Sequence, residues 1–297
     1  MKANGQLRKE DVLVEALPYI QQFEHTTFVI KYGGAAMEEE ALKQSVAQDV
    51  TLLRKIGIDV VVVHGGGKEI TALSNQLKLE TKFVNGRRYT DEQTRDVVQM
   101  VLAGLINKDI VRRINMHGGR AVGVSGIDAS LLTAKRYEEH DLGFVGEVTG
   151  VNAALIRNLL TDGYLPVIAP LGVDDAGTVY NINADIAVGE IAAALEAVKL
   201  VYLSDIEGVK ANGILLSHLT EEDARTFIAS GQISGGMIPK VESALKAVRA
   251  GVQKVHIIDG RVPHGLLLEI FTKEGIGTEI VGSAKASTEK FSNELMT

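Results

Sequence analysis

Four consecutive valines, Val60–Val63, lead through His64 into three glycines, Gly65–Gly67. An unbroken β-branched run suits a strand buried on both faces, as in a parallel sheet covered by helices. Ile70, Leu73 and Leu77 follow at helical spacing and predict a helix over Lys68–Leu79. Strand, glycine turn and helix N-terminus together make an anion site. Backbone N–H groups approach a ligand closely where no Cβ intervenes, and the first helical turn offers unpaired donors. A single turn of this kind is more often only a tight junction between sheet and helix, so a ligand is implied only if the design recurs. It does. Strand Thr26–Lys31 runs into Gly33-Gly34, and Gly235-Gly236 opens a segment that carries Lys240. Glycine donors beside Lys31 and Lys240, gathered where parallel sheets bind their ligands, suit a polyphosphate and an anionic acceptor. No GxxxxGK[ST] and no protein-kinase catalytic loop occurs, which excludes those two phosphate sites.

The remaining sequence alternates strand and helix signals, predicting an α/β fold: a three-layer αβα sandwich with a mostly parallel central sheet. Glu38–Ile56 reads as an amphipathic helix stopped by Gly57. A long helix is expected with Thr90 as cap and Gln93 completing a capping box, Val97, Val101, Leu105 and Ile114 marking one face. Ala121–Gly126, Leu131–Arg136 and Phe144–Val151 read as a β-ribbon over the sheet. Asn152 caps Ala153–Leu160, Leu165–Val173 is one buried strand, Thr178–Ile182 is a short one, and Asn183–Ala197 is an alanine-rich helix. The last third predicts strands at Leu200–Ser204, Val255–Asp259 and Gly277–Val281, a hairpin at Asn212-Gly213, and a helix after Thr220 with Asp223 closing its capping box. Further helices are expected at Val241–Ala250 and Pro263–Phe271. Ahead of the first strand, Asp11–Phe23 carries an apolar stripe that Pro18 should kink. Residues 283–297 read as a polar tail.

At 297 residues and 45% hydrophobic, the chain has ample material for a core. Its net charge of −7 argues against nucleic acid and anionic membrane as partners. The absence of cysteine excludes disulfides, zinc–thiolate sites and thiol catalysis, and suits a cytoplasmic protein. No apolar run reaches membrane-span length, and the start MKANGQLRKED lacks a signal peptide's apolar core.

VIKYGG, VVVHGGG, Gly86-Arg87-Arg88-Tyr89-Thr90, NINAD at Asn181–Asp185 and GGMIPK together resemble the amino-acid kinase family. Within it they are most similar to the branch that phosphorylates N-acetyl-L-glutamate, in order from about Tyr19 to Val281. The resemblance implies ATP as phosphoryl donor, with Mg2+ carried by the nucleotide and no direct metal ligand. It implies that Lys31 and Lys240 neutralise charge on the transferring group and that Asp185 holds both lysines. Gly34, Gly65 and Gly66 would meet the phosphoryl group and the reacting carboxylate, and Arg88 and Asn181 would grip the far end of the acceptor. Two lobes are implied, 26–182 for the acceptor and 183–282 for ATP, behind an N-terminal helix in 1–25. A carboxylate is already ionised at neutral pH, so no general base is required, and His64 reads as structural. Lys68 and Arg87 depart from the family pattern, where proline and an aliphatic residue are usual. Within the family, an N-acylated aminoadipate is the competing acceptor. A catalytically silent nucleotide-binding regulator is the reading outside enzymology, and the intact lysines and Asp185 speak against it.

The N-terminal stripe and HGLLLEIFTKEGIGT at His264–Thr278 resemble the arginine-sensitive members, which implies a hexamer, a trimer of dimers tied by interlaced helices, inhibited by L-arginine. For some members it also implies a nitrogen-regulatory signalling protein as partner. An arginine ligand needs a carboxylate for its guanidinium and donors for its own carboxylate. Glu269 is the expected carboxylate, Lys210 and His256 the donors, Tyr19 a wall, and Gly275 the room.

Overall fold

The computed structural model describes residues 9–272 and 275–282. Helix α1 (Lys9–Phe23) leads into strand β1 (Thr27–Tyr32), a short 3₁₀ turn and α2 (Glu40–Lys55). Then come β2 (Asp59–His64), α3 (Gly67–Gln76), and the small hairpin of β3 (Phe83–Val84) and β4 (Arg87–Arg88). The expected long helix is present as α4 (Glu92–Gln99), a π-helical stretch (Met100–Ile106) and α5 (Asn107–Met116). Its cap is not Thr90 but Asp91, whose carboxylate accepts from the Thr94 amide at 2.8 Å. Thr90 is held elsewhere, donating to the Arg88 carbonyl.

The strands β5 (Ala121–Ser125), β6 (Leu132–Arg136) and β7 (Val145–Val151) correct the ribbon expectation, because β5 belongs to the main sheet. After α6 (Ala153–Thr161), the single strand expected over Leu165–Val173 is broken at Pro170 into β8 (Leu165–Ala169) and β9 (Leu171–Val173). β8 stays in the main sheet while β9 crosses into a small closed barrel with β6, β7 and β10 (Val179–Ile182). Proline lacks the N–H a ladder needs, so a strand changes sheets there at little cost. The chain continues through α7 (Ala184–Ala194), β11 (Lys199–Ser204), the hairpin β12 (Lys210–Ala211) and β13 (Ile214–Leu215), β14 (His218–Thr220) and α8 (Glu221–Ala229). It ends with α9 (Met237–Arg249), β15 (Lys254–Asp259), α10 (Gly265–Phe271) and β16 (Thr278–Val281). α9 begins before the expected Val241, with Pro239 in its first turn, where the missing N–H costs nothing.

The main sheet runs β14-β16-β15-β11-β1-β2-β8-β5 and is parallel except where β16 opposes β15. Alternation along the central strands divides the core into two layers. Val60 and Val62 join Phe28 and Ile30 beneath α2, α5 and α10, while Val61 and Val63 join Val29 and Leu200 beneath α6, α7 and α9. All four valines are fully buried, each contributing roughly 1.5–3 kcal/mol through apolar surface removed from water.

α1 runs through Pro18 as one helix. Its C-terminal end packs on this chain: Phe23 meets Phe28 edge-on at 5.2 Å, and Tyr19 meets Phe271 at 6.4 Å. Val14 and Leu17 remain exposed. The predicted polar tail, 283–297, lies outside the described residues, as do Lys273 and Glu274 of the arginine-type motif. No helix among the described residues is long and apolar enough to cross a membrane.

Candidate active site

β1 and β2 end side by side with Tyr32 opposite His64, and β11 flanks β1 with Tyr202 opposite Lys31. The C-terminal edge of three neighbouring strands therefore collects Lys31, the glycine turns at 33–34 and 65–67, and Ser204-Asp205. α7 and α9 each add a charged residue near their N-termini, Asp185 and Lys240. Asn183 caps α7 by accepting from the amides of Asp185 and Ile186 at 2.8 and 3.2 Å. The Asp185 carboxylate thus sits at the positive end of that helix. Tyr202 and Ser243 both donate to the Asp185 carbonyl at 3.4 Å, tying the two helix ends to β11.

Lys31 Nζ lies 3.3 Å from Asp185 Oδ1, an ion pair off hydrogen-bond alignment that leaves this buried oxygen with no hydrogen-bond partner. Lys240 Nζ donates instead to Ser204 Oγ at 2.8 Å and to Asp205 Oδ1 at 3.3 Å. This corrects the expectation that Asp185 holds both lysines: each lysine has its own carboxylate. Partial burial pushes the Asp205 carboxyl up, but the Lys240 charge and the hydrogen bonds from Lys240 and Ser204 bring it net below its ordinary value. Lys31, Asp185, Ser204, Lys240 and Ser243 line one cavity with about 10 Å³ free, room for a single water. Through Asp185 and Ser243 it adjoins a cleft of about 350 Å³ between α7, α9 and the barrel. A polyphosphate would therefore lie at the mouth of the lysine cavity rather than inside it.

Gly34 has φ +62°, a left-handed backbone that disfavours side chains, and faces the Asp205 amide. A Cβ on Gly66 would fall 2.3 Å from Ile106 Cδ1 and 2.7 Å from Leu102 Cδ2, so the π-helical stretch packs directly beneath this glycine. The Gly65 amide already donates to the Tyr32 carbonyl at 2.8 Å. The donors on offer at this turn are therefore Gly66 and Gly67, and the role expected of the Gly65 amide is corrected accordingly. Neither of those two amides donates a hydrogen bond to a described residue, although both carbonyls accept one.

Arg88 is buried on β4. Its Nη2 donates to the Gly67 carbonyl at 2.9 Å and to Thr71 Oγ1 at 2.7 Å, and its guanidinium stacks over Phe83. Nη1 is buried with no partner. Burial lowers the guanidinium's proton affinity from its ordinary value, so an anion brought to Nη1 would relieve a real cost. Asn181 donates to Thr90 Oγ1 at 3.2 Å, and Thr90 in turn bonds the Arg88 carbonyl, which places Asn181 in the same neighbourhood. The two departures from the family pattern make contacts of their own: Lys68 pairs with Glu38, and Arg87 stacks over Tyr137 at 4.2 Å.

A second cavity, of about 640 Å³, lies under α1 and brings together Tyr19, His256, Glu269 and Gly275 as expected in sequence. Lys210 is not there; it pairs with Glu207 at 2.9 Å in the β12–β13 hairpin. The cations that line the cavity are Lys199 and Lys254, opposite each other on β11 and β15. Glu269 accepts from His256 Nδ1 at 2.6 Å and from the amides of Ile276 and Gly277. A Cβ on Gly275, at φ +62°, would come 2.8 Å from Glu269 Oε2.

Lysine charges, glycine turns and helix N-termini gathered at the carboxyl edge of a parallel sheet are the equipment of an α/β phosphoryl-transfer protein. The sequence profile of the Amino acid kinase family matches residues 26–259. The chain belongs to that family. It is 56% identical over 271 residues to the acetylglutamate kinase of Chlorobaculum tepidum, covering 91% of this chain and 95% of the relative. Among solved structures it resembles N-acetylglutamate synthase from Neisseria gonorrhoeae complexed with coenzyme A and N-acetyl-glutamate (TM-score 0.83, 27% identity, 93% of this chain and 64% of that one). The same synthase complexed with coenzyme A and L-arginine matches with a TM-score of 0.78, again over 93% of this chain and 66% of that one. The chain thus spans less than two thirds of the synthase.

Proposed function

We propose that this chain transfers the γ-phosphoryl group of ATP to the side-chain carboxylate of N-acetyl-L-glutamate, the second step of arginine biosynthesis. A carboxylate oxygen forms the new bond to phosphorus as the bond to the ADP oxygen breaks, giving an acyl phosphate and ADP. The observation that carries the reading is the convergence of Lys31 and Lys240 on one cavity at the carboxyl edge of the sheet. Phosphoryl transfer asks for positioning and charge neutralisation more than for covalent chemistry. Lys31, steered by Asp185, and Lys240, steered by Ser204 and Asp205, supply the charge. Gly34 and the amides of Gly66 and Gly67 line the path of the transferring group, with the first turn of α3 adding its dipole. Arg88, through Nη1, takes the α-carboxylate of the acceptor, and Asn181 its acetamido group. The acceptor is an anion at neutral pH, which removes the need for a base. Among the described residues no three His, Cys, Asp or Glu side chains group as metal ligands, and Mg2+ is assigned to the nucleotide phosphates. In this reading 26–182 form the acceptor lobe and 183–282 the ATP lobe.

The proposal extends to control. The cavity under α1 offers the carboxylates Glu269 and Glu279 and the cations Lys199 and Lys254, a set that suits a zwitterion with a guanidinium, L-arginine. α1 supplies one wall through Tyr19 and Phe23, while its exposed Val14 and Leu17 suit association of α1 helices into a hexamer. Any inhibition requires arginine to bind one state of that assembly better than another.

The test of the acceptor is ADP release coupled to a reporter, with N-acetylglutamate, N-acetylaminoadipate, aspartate and uridylate compared at equal concentration. N-acetylglutamate should give the highest kcat/KM. A better acceptor in that panel, or no ADP release above the ATPase background, overturns the assignment.

A further inference from the structure

His64 closes β2 immediately before the glycine turn, and no part of it is exposed. Both ring nitrogens are engaged. Nδ1 lies 2.9 Å from the carbonyl oxygen of Gly65, and Nε2 lies 3.3 Å from Asn107 Nδ2. A carbonyl can only accept, so Nδ1 carries the proton. The Asn107 amide fixes the other side. Its nitrogen faces the Val167 carbonyl at 2.9 Å and the Val124 carbonyl at 3.3 Å, while its oxygen accepts from Lys108 Nζ at 3.1 Å. Turning that amide over would set oxygen against two carbonyls and NH2 against an ammonium group. Nδ2 is therefore the donor, and Nε2 of a neutral His64 is the acceptor. Asn107 is itself fully buried, and it fits because Gly123 has no Cβ: one built there would fall 1.9 Å from Asn107 Oδ1.

From these contacts we infer that His64 is a positioning residue, which holds the Gly65 carbonyl toward the protein interior and so turns the Gly66 N–H outward to the reacting phosphoryl group. The inference rests on the proposed phosphoryl-transfer reading. The Gly65–Gly66 peptide is trans, as are all those described, so its C=O and N–H point in opposite directions. With the oxygen fixed on a buried ring, the hydrogen faces the open side, where Gly66 and Gly67 lead into α3. Two glycines in succession give this peptide no steric reason to keep one orientation. The Gly65 amide is pinned by Tyr32, but rotation about the far side of Gly65 remains free unless its carbonyl is held. Peptide rotation would point the carbonyl oxygen at an incoming anion. His64 suppresses that flip, and Asn107 selects the tautomer able to do so. A base role is excluded by the same geometry, since Nδ1–H is spent on Gly65 and Nε2 on Asn107.

The experiment compares the full chain with its His64→Asn and His64→Gln variants. The Asn side-chain amide reaches the position of Nδ1 and can donate to Gly65. The Gln amide is polar and nearly as large but reaches only the Nε2 position. His64→Gln should lower kcat with N-acetylglutamate by about 10²-fold, as for a lost transition-state donor, with both KM values changed less than about threefold, as expected for an interaction made only in the transition state. His64→Asn should recover kcat to within about tenfold of wild type, the remaining loss reflecting a shorter and less rigid donor. Equal kcat in the two variants, or a Gln variant near wild type, overturns the proposal. The ring tautomer, read from the ¹⁵N-imidazole shifts of the wild type, is a second measurement independent of turnover and of variant folding: an Nε2–H signal overturns the proposal, an Nδ1–H signal supports it. Wild-type turnover is scored separately. If N-acetylglutamate is not phosphorylated, the acceptor assignment fails, and the variant ratio is taken with whichever acceptor of the panel is turned over.

Discussion

Acidification should destabilise this fold through one imidazole, and the size of the effect follows from burial. Desolvation pulls the His64 pKa down from 6.5 to about 4; the Gly65 carbonyl opposes this and the Lys108 charge adds to it. Below pH 6.5 the unfolded chain takes up a proton that the folded chain refuses, so stability falls as pH drops toward 4 and levels off beneath it. At 1.36 kcal/mol per pKa unit the full loss is about 3 kcal/mol, and at pH 4.5 about 2.5 kcal/mol is already lost. Asp49 works the other way. Burial raises its carboxyl to about 6, against the hydrogen bond and charge of His264, so its contribution falls as pH rises from about 3.8 to 6 and is regained on acidification. The wild-type curve alone is therefore flattened, and the informative quantity is the difference between wild type and His64→Asn, in which Asp49 cancels. Urea unfolding followed by far-UV circular dichroism, at pH 7.5 and 4.5, gives that difference by linear extrapolation; the chain has no tryptophan to follow by fluorescence. The stability advantage of wild type over the variant should shrink by about 2.5 kcal/mol between the two pH values. An advantage that stays constant within about 0.5 kcal/mol would refute a buried neutral His64, since linkage then has no proton to act on.

Lys31→Ala and Lys240→Ala should each lower kcat by about 10²–10³-fold while the circular dichroism spectrum is kept; near-normal turnover in either purified variant removes that lysine from the mechanism. Arg88→Lys should raise KM for N-acetylglutamate far more than KM for ATP, because an ammonium cannot reproduce a planar fork already bonded to Gly67 and Thr71. Equal effects on both substrates would place Arg88 outside the acceptor site. Val14→Asp combined with Leu17→Asp changes only exposed positions of α1, so light scattering should report a smaller assembly and arginine titration a weaker inhibition at unchanged basal turnover. A double variant that keeps both the wild-type mass and its arginine response would detach α1 from regulation.

What the sequence displayed and what it concealed divide by the range of the interaction. The valine run, the glycine turns, the cap Asn152 and the Thr220–Asp223 capping box are local, and they lie where the pattern puts them. Asn183, which reads as the first residue of its helix, is instead the cap. Thr90 misleads because two candidate caps stand side by side. What draws Thr90 away from the helix is its pairing with Leu142–Phe144 and its contact with Asn181, residues distant in sequence. The cations of the second cavity were concealed for a similar reason. Lys199 and Lys254 each begin a strand, and only the pairing of β11 with β15 sets them opposite one another, whereas Lys210 lies on a hairpin outside the cavity and pairs with Glu207. Asp205 had a signal, an acidic residue directly after a buried strand that ends beside the glycine turns, but a choice between Asp185 and Asp205 for Lys240 needed the packing of α9. The π-helical stretch is the hardest case. Val97, Val101 and Leu105 step by four as in an ordinary helix, but Ile114 stands nine residues beyond Leu105, half a turn out of phase at about 100° per residue. Leu105 is exposed while the other three are buried, and the wider turn over Met100–Ile106 lies between them. That stretch packs Leu102 and Ile106 beneath Gly66 and delivers Asn107 to His64 at its end. The glycine turn is thus legible as a motif from its own residues. The reason its second glycine tolerates no side chain, and the reason its peptide holds one orientation, lie on a distant helix whose irregularity serves this contact, as π-turns near functional sites often do.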